Sequence, residues 1–391
     1  MPRASDLGIT IGRLPPGPTG SVLDVAGVGV GHATIVRDEP DPPAGRGVAR
    51  TGVTAICLGD GSRRRAAVAG GAVLNGAGEC TGFLTMAEWG IVESPLFLTS
   101  TMQLGRVYDA ACELLLERHA SVAEMVTIPV VAECDDSFLN DARRMQVERS
   151  DVAYALEQAL ASIGAGVAPD EGSVGAGTGM SCLGFKGGIG TASRVTPSGH
   201  TVGVLLLTNF GERDRLTVDG VSVGRLIGPA APGLGGPRGT PSAGSPELGA
   251  APDAPASPGV GGRRGDPPSG SCIGVVITDA PVDHAGCERL ARRVGLGLAR
   301  TGSTGHHGSG EIFLACATGL EVDDAARVVS GASLSGPDLD PLFEAVVDAT
   351  EESVLNSMLM SPDMTGRNGH VSPGLHPARV VELLAAYGRL A

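Results

Sequence analysis

Gly270-Ser271-Cys272-Ile273-Gly274-Val275-Val276-Ile277-Thr278-Asp279-Ala280-Pro281 is where regular structure is expected to resume after a long run of Gly, Pro, Ala and Ser. Residues 272–277 hold no polar side chain, the pattern of a strand buried on both faces. Residues 278–281 read as a turn, 284–300 as an amphipathic helix, and 312–317 as a second apolar strand beyond a Gly/Ser/His loop. A strand, a helix and a strand joined by a crossover of this length predict two parallel strands of one sheet. Both strands then start at the same sheet edge. Ser271, ahead of the first, is placed on the side of Ser309 and Glu311, ahead of the second.

Upstream, residues 228–269 contain almost no large apolar side chains and cannot bury enough surface to order themselves. Composition alone reads them as a linker between two domains or as an exposed loop within one, placed where a bond is to be cut. Further upstream, short β-like runs alternate with helical stretches. Residues 22–30, 53–58, 126–132 and 202–209 read as strands, 216–223 as a further one, and 103–119 and 151–164 as helices. From Asp324 onward a helical reading holds, broken by loops near Pro337 and over 361–377.

Hydrophobic residues at 42% and charged residues at 18% give the balance of a globular chain with a sizeable core. Aromatics at 3% leave the packing to Val, Leu, Ile and Ala. A net charge of -14 argues against a nucleic-acid partner, which needs a basic face. No apolar stretch of about 18 residues is present to span a membrane, and the first residues lack the apolar core of a signal peptide. The eight cysteines form no Cys-x-x-Cys pair, so no structural metal site is expected. Cys57, Cys272 and Cys316 sit in apolar runs and read as small buried hydrophobes, which suits a reducing, cytoplasmic setting.

Four constellations are candidates for chemistry. Gly220-Val221-Ser222-Val223-Gly224 matches the G-x-S-x-G nucleophile elbow, but that motif needs a helix after the serine, and Val221 and Val223 continue a β-like alternation. The Gly-rich stretch 175–190 has two glycines at P-loop spacing, yet Phe185 stands where the lysine belongs. It reads as close backbone packing or a site lining. His306-His307 cannot both face one metal from a regular element, and reads as solvent-exposed loop histidines. Ser271 remains. A serine hydroxyl is a weak nucleophile that needs a base. A serine with a free α-amino group carries one, with an unperturbed pKa of about 7.7–8.0. Cutting the Gly270–Ser271 bond would create it, and Gly270 offers no side chain to obstruct attack. A Gly-Ser pair ahead of a strand is also common, so these residues by themselves leave both readings open.

The chain resembles the DmpA-type L-aminopeptidases/D-amidases and the β-peptidyl aminopeptidases. The resemblance runs from about Leu23 to the C-terminus, apart from 228–269. It rests on Asp24-Val-Ala-Gly-Val-Gly-Val-Gly-His32, Asn75-Gly-Ala-Gly-Glu-Cys-Thr-Gly82, Leu98-Thr-Ser-Thr101, Val131-Ala-Glu133 and Leu139-Asn-Asp141. Gly175-Ala-Gly-Thr-Gly-Met180, Lys186-Gly-Gly-Ile-Gly-Thr191, Asn209-Phe-Gly211, Gly270-Ser271, Thr278-Asp-Ala-Pro281 and Ser309-Gly-Glu311 continue the series in order.

The resemblance implies an α/β fold, a four-layer α-β-β-α sandwich like that of DmpA and the ornithine acetyltransferases. It implies self-cleavage between Gly270 and Ser271 into an α chain 1–270 and a β chain 271–391 that form one composite domain, assembled as a homo-oligomer. Ser271 resembles the nucleophile, Ser309 and Glu311 the pair that orients it, and Asn209 the oxyanion-hole donor. Glu133 resembles the acidic group that receives the substrate's ammonium, with Asp135 beside it in the substrate site. The implied activity is an aminopeptidase or amidase acting on small peptides, amides or esters with a free amino group, without metal or cofactor. Two features depart from the pattern. Relatives often carry an aromatic where Asp135 stands, ahead of Asp-Gly, and the 228–269 segment is longer than usual. The alternatives are an acyltransferase on the same fold, an uncleaved binding protein, and a serine hydrolase that uses Ser222.

Overall fold

The computed structural model describes residues 1–59, 66–124, 126–228, 270–323 and 328–390. The Gly/Pro-rich segment read from sequence as linker or loop lies outside the described residues from 229 to 269, as do residues 324–327 of the stretch read as helical.

Two sheets face each other. The first has the order β1-β2-β5-β6, built from β1 (Val28–Asp38), β2 (Val48–Leu58), β5 (Leu96–Ser100) and β6 (Val130–Cys134). The second has the order β4-β3-β12-β11-β10-β9. Its strands are β3 (Ala67–Gly76), β4 (Ile91–Val92), β9 (Gly188–Val195), β10 (Thr201–Thr208), β11 (Cys272–Thr278) and β12 (Gly310–Ala317). Between β6 and β9 a small hairpin pairs β7 (Ser181–Cys182) with β8 (Phe185–Lys186). The strands β11 and β12 are parallel as the crossover requires, with Cys272 opposite Glu311.

The alternation along β11 builds two cores at once. Ile273, Val275 and Ile277 point between the sheets, where they meet Val30, Ile56, Leu98 and Ala132 of the first sheet. Cys272 and Val276 point outward to the helical layer formed by α5 (His284–Thr301) and α6 (Asp340–Leu359). On the far side of the first sheet, α2 (Leu104–Arg118) and α3 (Arg149–Ser162) cover Ala33, Val53 and Phe97. The result is the α-β-β-α sandwich. Each of these fully buried Val, Leu or Ile side chains contributes about 1.5–3 kcal/mol, so aliphatic packing suffices in a chain with few aromatics. Close approach of α3 to β1 depends on glycine: a Cβ on Gly29 would stand 2.0 Å from the Ala159 carbonyl oxygen, and one on Gly31 2.2 Å from the Ala159 nitrogen. The helix α5 is capped by Asp283, whose carboxylate accepts from the Gly286 N–H, and ends at Gly302 in a left-handed conformation.

Several boundaries differ from the sequence reading. Residues 22–24 form a 3₁₀ turn, not a strand, because Ser21 and Asp24 make a reciprocal capping box, and β1 starts only at Val28. The strand expected over 126–132 begins at Val130, after Pro129, whose missing N–H cannot join a ladder. Residues 216–223 hold one isolated bridge, Val218 to Val221, around a turn with positive φ at Asp219 and Gly220. The helices α1 (Phe83–Trp89), α4 (Val223–Ile227) and α7 (Pro377–Ala386) complete the set. Beyond residue 320, β13 (Glu321–Val322) pairs with β14 (Val328–Ser330), the latter within the stretch read as helical from Asp324 onward, and β15 (Met364–Thr365) pairs with β16 (Val371–Ser372) inside the loop read over 361–377. Among the described residues no helix is long and apolar enough to cross a membrane.

Candidate active site

The parallel register of β11 and β12 sets the site. With Cys272 level with Glu311, the residue before each strand falls at the same edge. Ser271 is 5% exposed, and its Oγ accepts a hydrogen bond from the Gly310 N–H at 3.1 Å. The Ser309 hydroxyl lies in close hydrogen-bonding contact with both the Gly270 carbonyl oxygen and Glu311 Oε1. One hydroxyl has one hydrogen and cannot donate to both oxygens. Both contacts can be hydrogen bonds only when Glu311 is protonated and donates to Ser309, which then donates to Gly270. Burial pushes the Glu311 carboxyl above the usual carboxylate range, against the opposing effects of the Ser309 hydrogen bond and the nearby His306. Its second oxygen, Oε2, is buried without a hydrogen-bond partner among the described residues. Asn75 fixes the turn before β12 by donating from Nδ2 to the carbonyls of His306 at 2.7 Å and Ser309 at 2.5 Å.

Asn209 directly follows β10, the antiparallel neighbour of β11. Its N–H donates to the Ser271 carbonyl at 3.0 Å. Its side-chain Oδ1 accepts from the Ser181 N–H at 2.9 Å, and Nδ2 donates to the Asp135 carbonyl at 2.8 Å. Both partners are backbone groups of fixed polarity, so the amide has one orientation. Among the described residues the second Nδ2 hydrogen has no partner; it lies beside Gly270, whose ideal Cβ position is 2.6 Å from Nδ2.

Glu133, on β6 of the facing sheet, is 2% exposed. Its Oε1 accepts from the Glu79 N–H at 2.8 Å, and Oε2 accepts from the Thr101 hydroxyl. Burial pushes its carboxyl up, against the effect of these two hydrogen bonds. The Ala77–Gly78 turn joins it to the Ser271 cluster: a Cβ on Gly78 would stand 3.2 Å from Glu133 Oε1 and 3.7 Å from the Gly310 Cα. The geometry therefore gathers Gly270, Ser271, Ser309, Glu311, Asn209 and Glu133 around one point, from both sheets. The Asp135 carboxylate instead accepts from the Ser137 N–H at 2.8 Å and stabilises its own turn. What Asp135 offers the cluster is its carbonyl oxygen.

The other sequence candidates separate from this cluster. Ser222 does precede a helix, the short α4, contrary to the expected β alternation. It is exposed, with no carboxylate or imidazole hydrogen-bonded to it among the described residues. His307 is exposed, and His306 is half-buried near Glu311. The Gly-rich stretch lines the site through Ser181. Thr101, Asn75 and the N–H groups of Glu79, Ser181 and Gly310 were not singled out from sequence, although Asn75, Glu79, Thr101 and Gly310 lie within quoted motif blocks. All eight cysteines are free. Burial pushes the thiols of Cys57, Cys80, Cys182 and Cys316 up to about 12, which keeps them protonated and poor nucleophiles.

Comparison with known proteins agrees with this architecture. The β-peptidyl aminopeptidase BapA of Sphingosinicella microcystinivorans is 37% identical over 395 residues, covering 100% of this chain and 93% of its own. Among solved structures, the PH0078 protein of Pyrococcus horikoshii OT3 superposes with a TM-score of 0.83 at 34% identity, each chain covered in full. The L-aminopeptidase D-Ala-esterase/amidase of Ochrobactrum anthropi, described as a prototype of the serine aminopeptidases and a variant of the Ntn hydrolase fold, gives 0.82 at 34% identity, again over 100% of both chains. The family model for Peptidase family S58 matches residues 20–372, and the chain belongs to that family.

Proposed function

We propose that the protein is a self-processing serine aminopeptidase with Ser271 as its nucleophile. It takes small peptides, amides or esters that carry a free amino group. The observation that carries this reading is the Ser309 hydroxyl held against the carbonyl of Gly270, the residue just ahead of Ser271. In the intact chain, Ser271 Oγ attacks the Gly270 carbonyl carbon while Ser309, backed by Glu311, donates toward the oxygen. The C–N bond breaks and its nitrogen takes the hydroxyl proton. This leaves an ester on Oγ, and water then hydrolyses it. The products are an α chain 1–270 ending in a carboxylate and a β chain 271–391 beginning with an amine.

In the cleaved enzyme that amine sits beside Ser309 and the unpartnered Oε2 of Glu311 and takes the proton from Oγ as Ser271 attacks the substrate carbonyl. The uncommitted Nδ2–H of Asn209 faces the developing oxyanion, a donor whose removal typically costs about 10²–10³ in rate. The proton passes to the leaving amine, and water clears the acyl-enzyme. Glu133 receives the substrate's ammonium, with Asp135 at the margin of the same site. This restricts the enzyme to the first residue of its substrate. No step needs a metal or cofactor. The eight free thiols support a cytoplasmic setting. The exposed Trp89, Val126 and Ile128, which line one small pocket, support a homo-oligomer of cleaved pairs.

The test is intact mass and denaturing electrophoresis of the wild type and of Ser271→Ala, with hydrolysis of an amino-acid p-nitroanilide assayed alongside. The reading expects two fragments and activity in the wild type, and one inert chain in the variant. An intact yet active wild type would overturn it.

A further inference from the structure

Lys186, in β8, is fully buried, and no carboxylate forms an ion pair with it among the described residues. Its ammonium donates to three backbone carbonyls, those of Gly177 at 3.1 Å, Met180 at 2.6 Å and Gly187 at 2.7 Å. Removing an ammonium from water is costly. Burial pushes the group down to about 7, against the opposing fields of Asp136 and Cys182. The three carbonyls do not need this charge to be satisfied. Gly177 O already accepts from the Met180 N–H at 3.2 Å, Met180 O from the Gly187 N–H at 3.1 Å, and Gly187 O from the Ser361 hydroxyl at 3.0 Å. A buried cation without a structural debt to settle needs another account.

The account lies one peptide unit away. The Met180 carbonyl and the Ser181 N–H belong to the same peptide group. Its oxygen takes the shortest of the three Lys186 bonds, and its N–H donates to Asn209 Oδ1 at 2.9 Å. From the ammonium, a head-to-tail series runs through the peptide dipole to the Asn209 carboxamide, and ends at the uncommitted Nδ2–H beside Gly270. In such a series each bond polarises the next, and the low dielectric of the interior strengthens the effect. We infer that Lys186 is a positioning residue for the oxyanion site, acting through the Met180–Ser181 peptide to orient and polarise Asn209 so that its free Nδ2–H becomes a stronger donor. No proton moves along the series. The ammonium form acts by its charge, so the effect belongs to the protonated lysine and fades as that group loses its proton. The inference rests on the reading of Asn209 as the oxyanion donor.

The test compares Lys186→Met, of similar length and neutral, with Lys186→Gln, neutral but still able to donate to a carbonyl. Each is made alone and together with Asn209→Ala. kcat and KM are measured per cleaved chain, with the cleaved fraction read from a denaturing gel, and folding is checked by thermal unfolding. We expect Lys186→Met and Lys186→Gln to lower kcat by similar factors of about tenfold, below the 10²–10³ of a deleted donor, with KM nearly unchanged. In the Asn209→Ala background the loss should vanish, because the end of the series is gone. If Lys186→Met does not fold, Lys186→Gln carries the comparison. A full recovery of kcat in Lys186→Gln, or an equal loss with and without Asn209, would overturn the relay and leave the oxyanion reading intact. An Asn209→Ala variant with unchanged kcat would overturn both.

Discussion

The main chain at Gly270 passes so close to Asn209 that a Cβ on Gly270 would stand 1.8 Å from the Asn209 carbonyl oxygen and 2.6 Å from its Nδ2. A side chain at the bond to be cut therefore collides with the group assigned to the oxyanion. Gly270→Ala should slow processing at least tenfold, in line with the roughly 10²-fold cost of a 1 Å misplacement at a reacting centre. Once cut, residue 270 no longer joins Ser271. The kcat per cleaved chain should then match the wild type. A processing time course on gels, followed by assay of the cleaved fraction, checks both halves.

Glu311 is asked to carry a proton in the intact chain and a negative charge beside the new amine afterwards. Glu311→Gln keeps the volume and one donor but cannot cycle. It should lose about 10²–10⁴ in turnover, the usual worth of a positioned acid or base. Ser309→Ala should lose self-cleavage as well, since its hydroxyl is the group in contact with the Gly270 carbonyl. Mass spectrometry of freshly purified variants reads the second outcome directly.

The pH dependence of substrate binding follows from Glu133. Burial raises its carboxyl, so it gains a proton at pH values above the ordinary glutamate range. A neutral acid cannot hold an ammonium, and KM should therefore climb as the pH falls into that interval. Folding responds with the opposite sign. A carboxyl raised in the native state binds its proton more tightly there than in the unfolded chain, so this group adds stability at low pH and loses it as the pH rises through its folded value. Acid should thus weaken binding while protonation of this residue favours the fold. Glu133→Gln should show a high, nearly pH-independent KM over the same interval. A KM profile matching the wild type would remove Glu133 from ammonium binding.

Gly29 and Gly31 test the packing of α3 on β1. Alanine at either position drives a methyl into the Ala159 backbone, and overpacking of this kind costs about 1–3 kcal/mol. Chemical denaturation should show the loss, while kcat per cleaved chain stays close to wild type, since neither glycine touches the Ser271 cluster.

What could be read in advance divides along physical lines. The pairing of Ser271 with Ser309 and Glu311 follows from local pattern, since strand periodicity and crossover length define a parallel pair without knowledge of the rest. The two-sheet arrangement and the roles proposed for Asn209 and Glu133 come through the family resemblance. Nothing in spacing brings residue 133 to residue 79, or 209 to 181. Those contacts arise from packing two sheets and threading a Gly-rich segment beneath one of them. Strand ends were misread where a competing local interaction decided them, the Ser21/Asp24 cap before β1 and Pro129 before β6. Lys186 belongs to the quoted block 186–191, and its burial becomes visible only once β8, which contains it, packs against the 177–180 turn.

The interleaving of the second sheet has a consequence for the life of the protein. β11 and β12 belong to the piece that begins at Ser271, and they are clasped between β3 on one side and β10 on the other, both from the piece that ends at Gly270. Severing the bond would thus create two polypeptides with one shared interior, neither able to shed its partner without opening a sheet through its middle. Such a molecule is assembled once, as a single thread, and then loses the covalent tether that guided its assembly. Heating past its transition should be a one-way event, and persistence in the cell would depend on how slowly it opens rather than on how readily it re-forms.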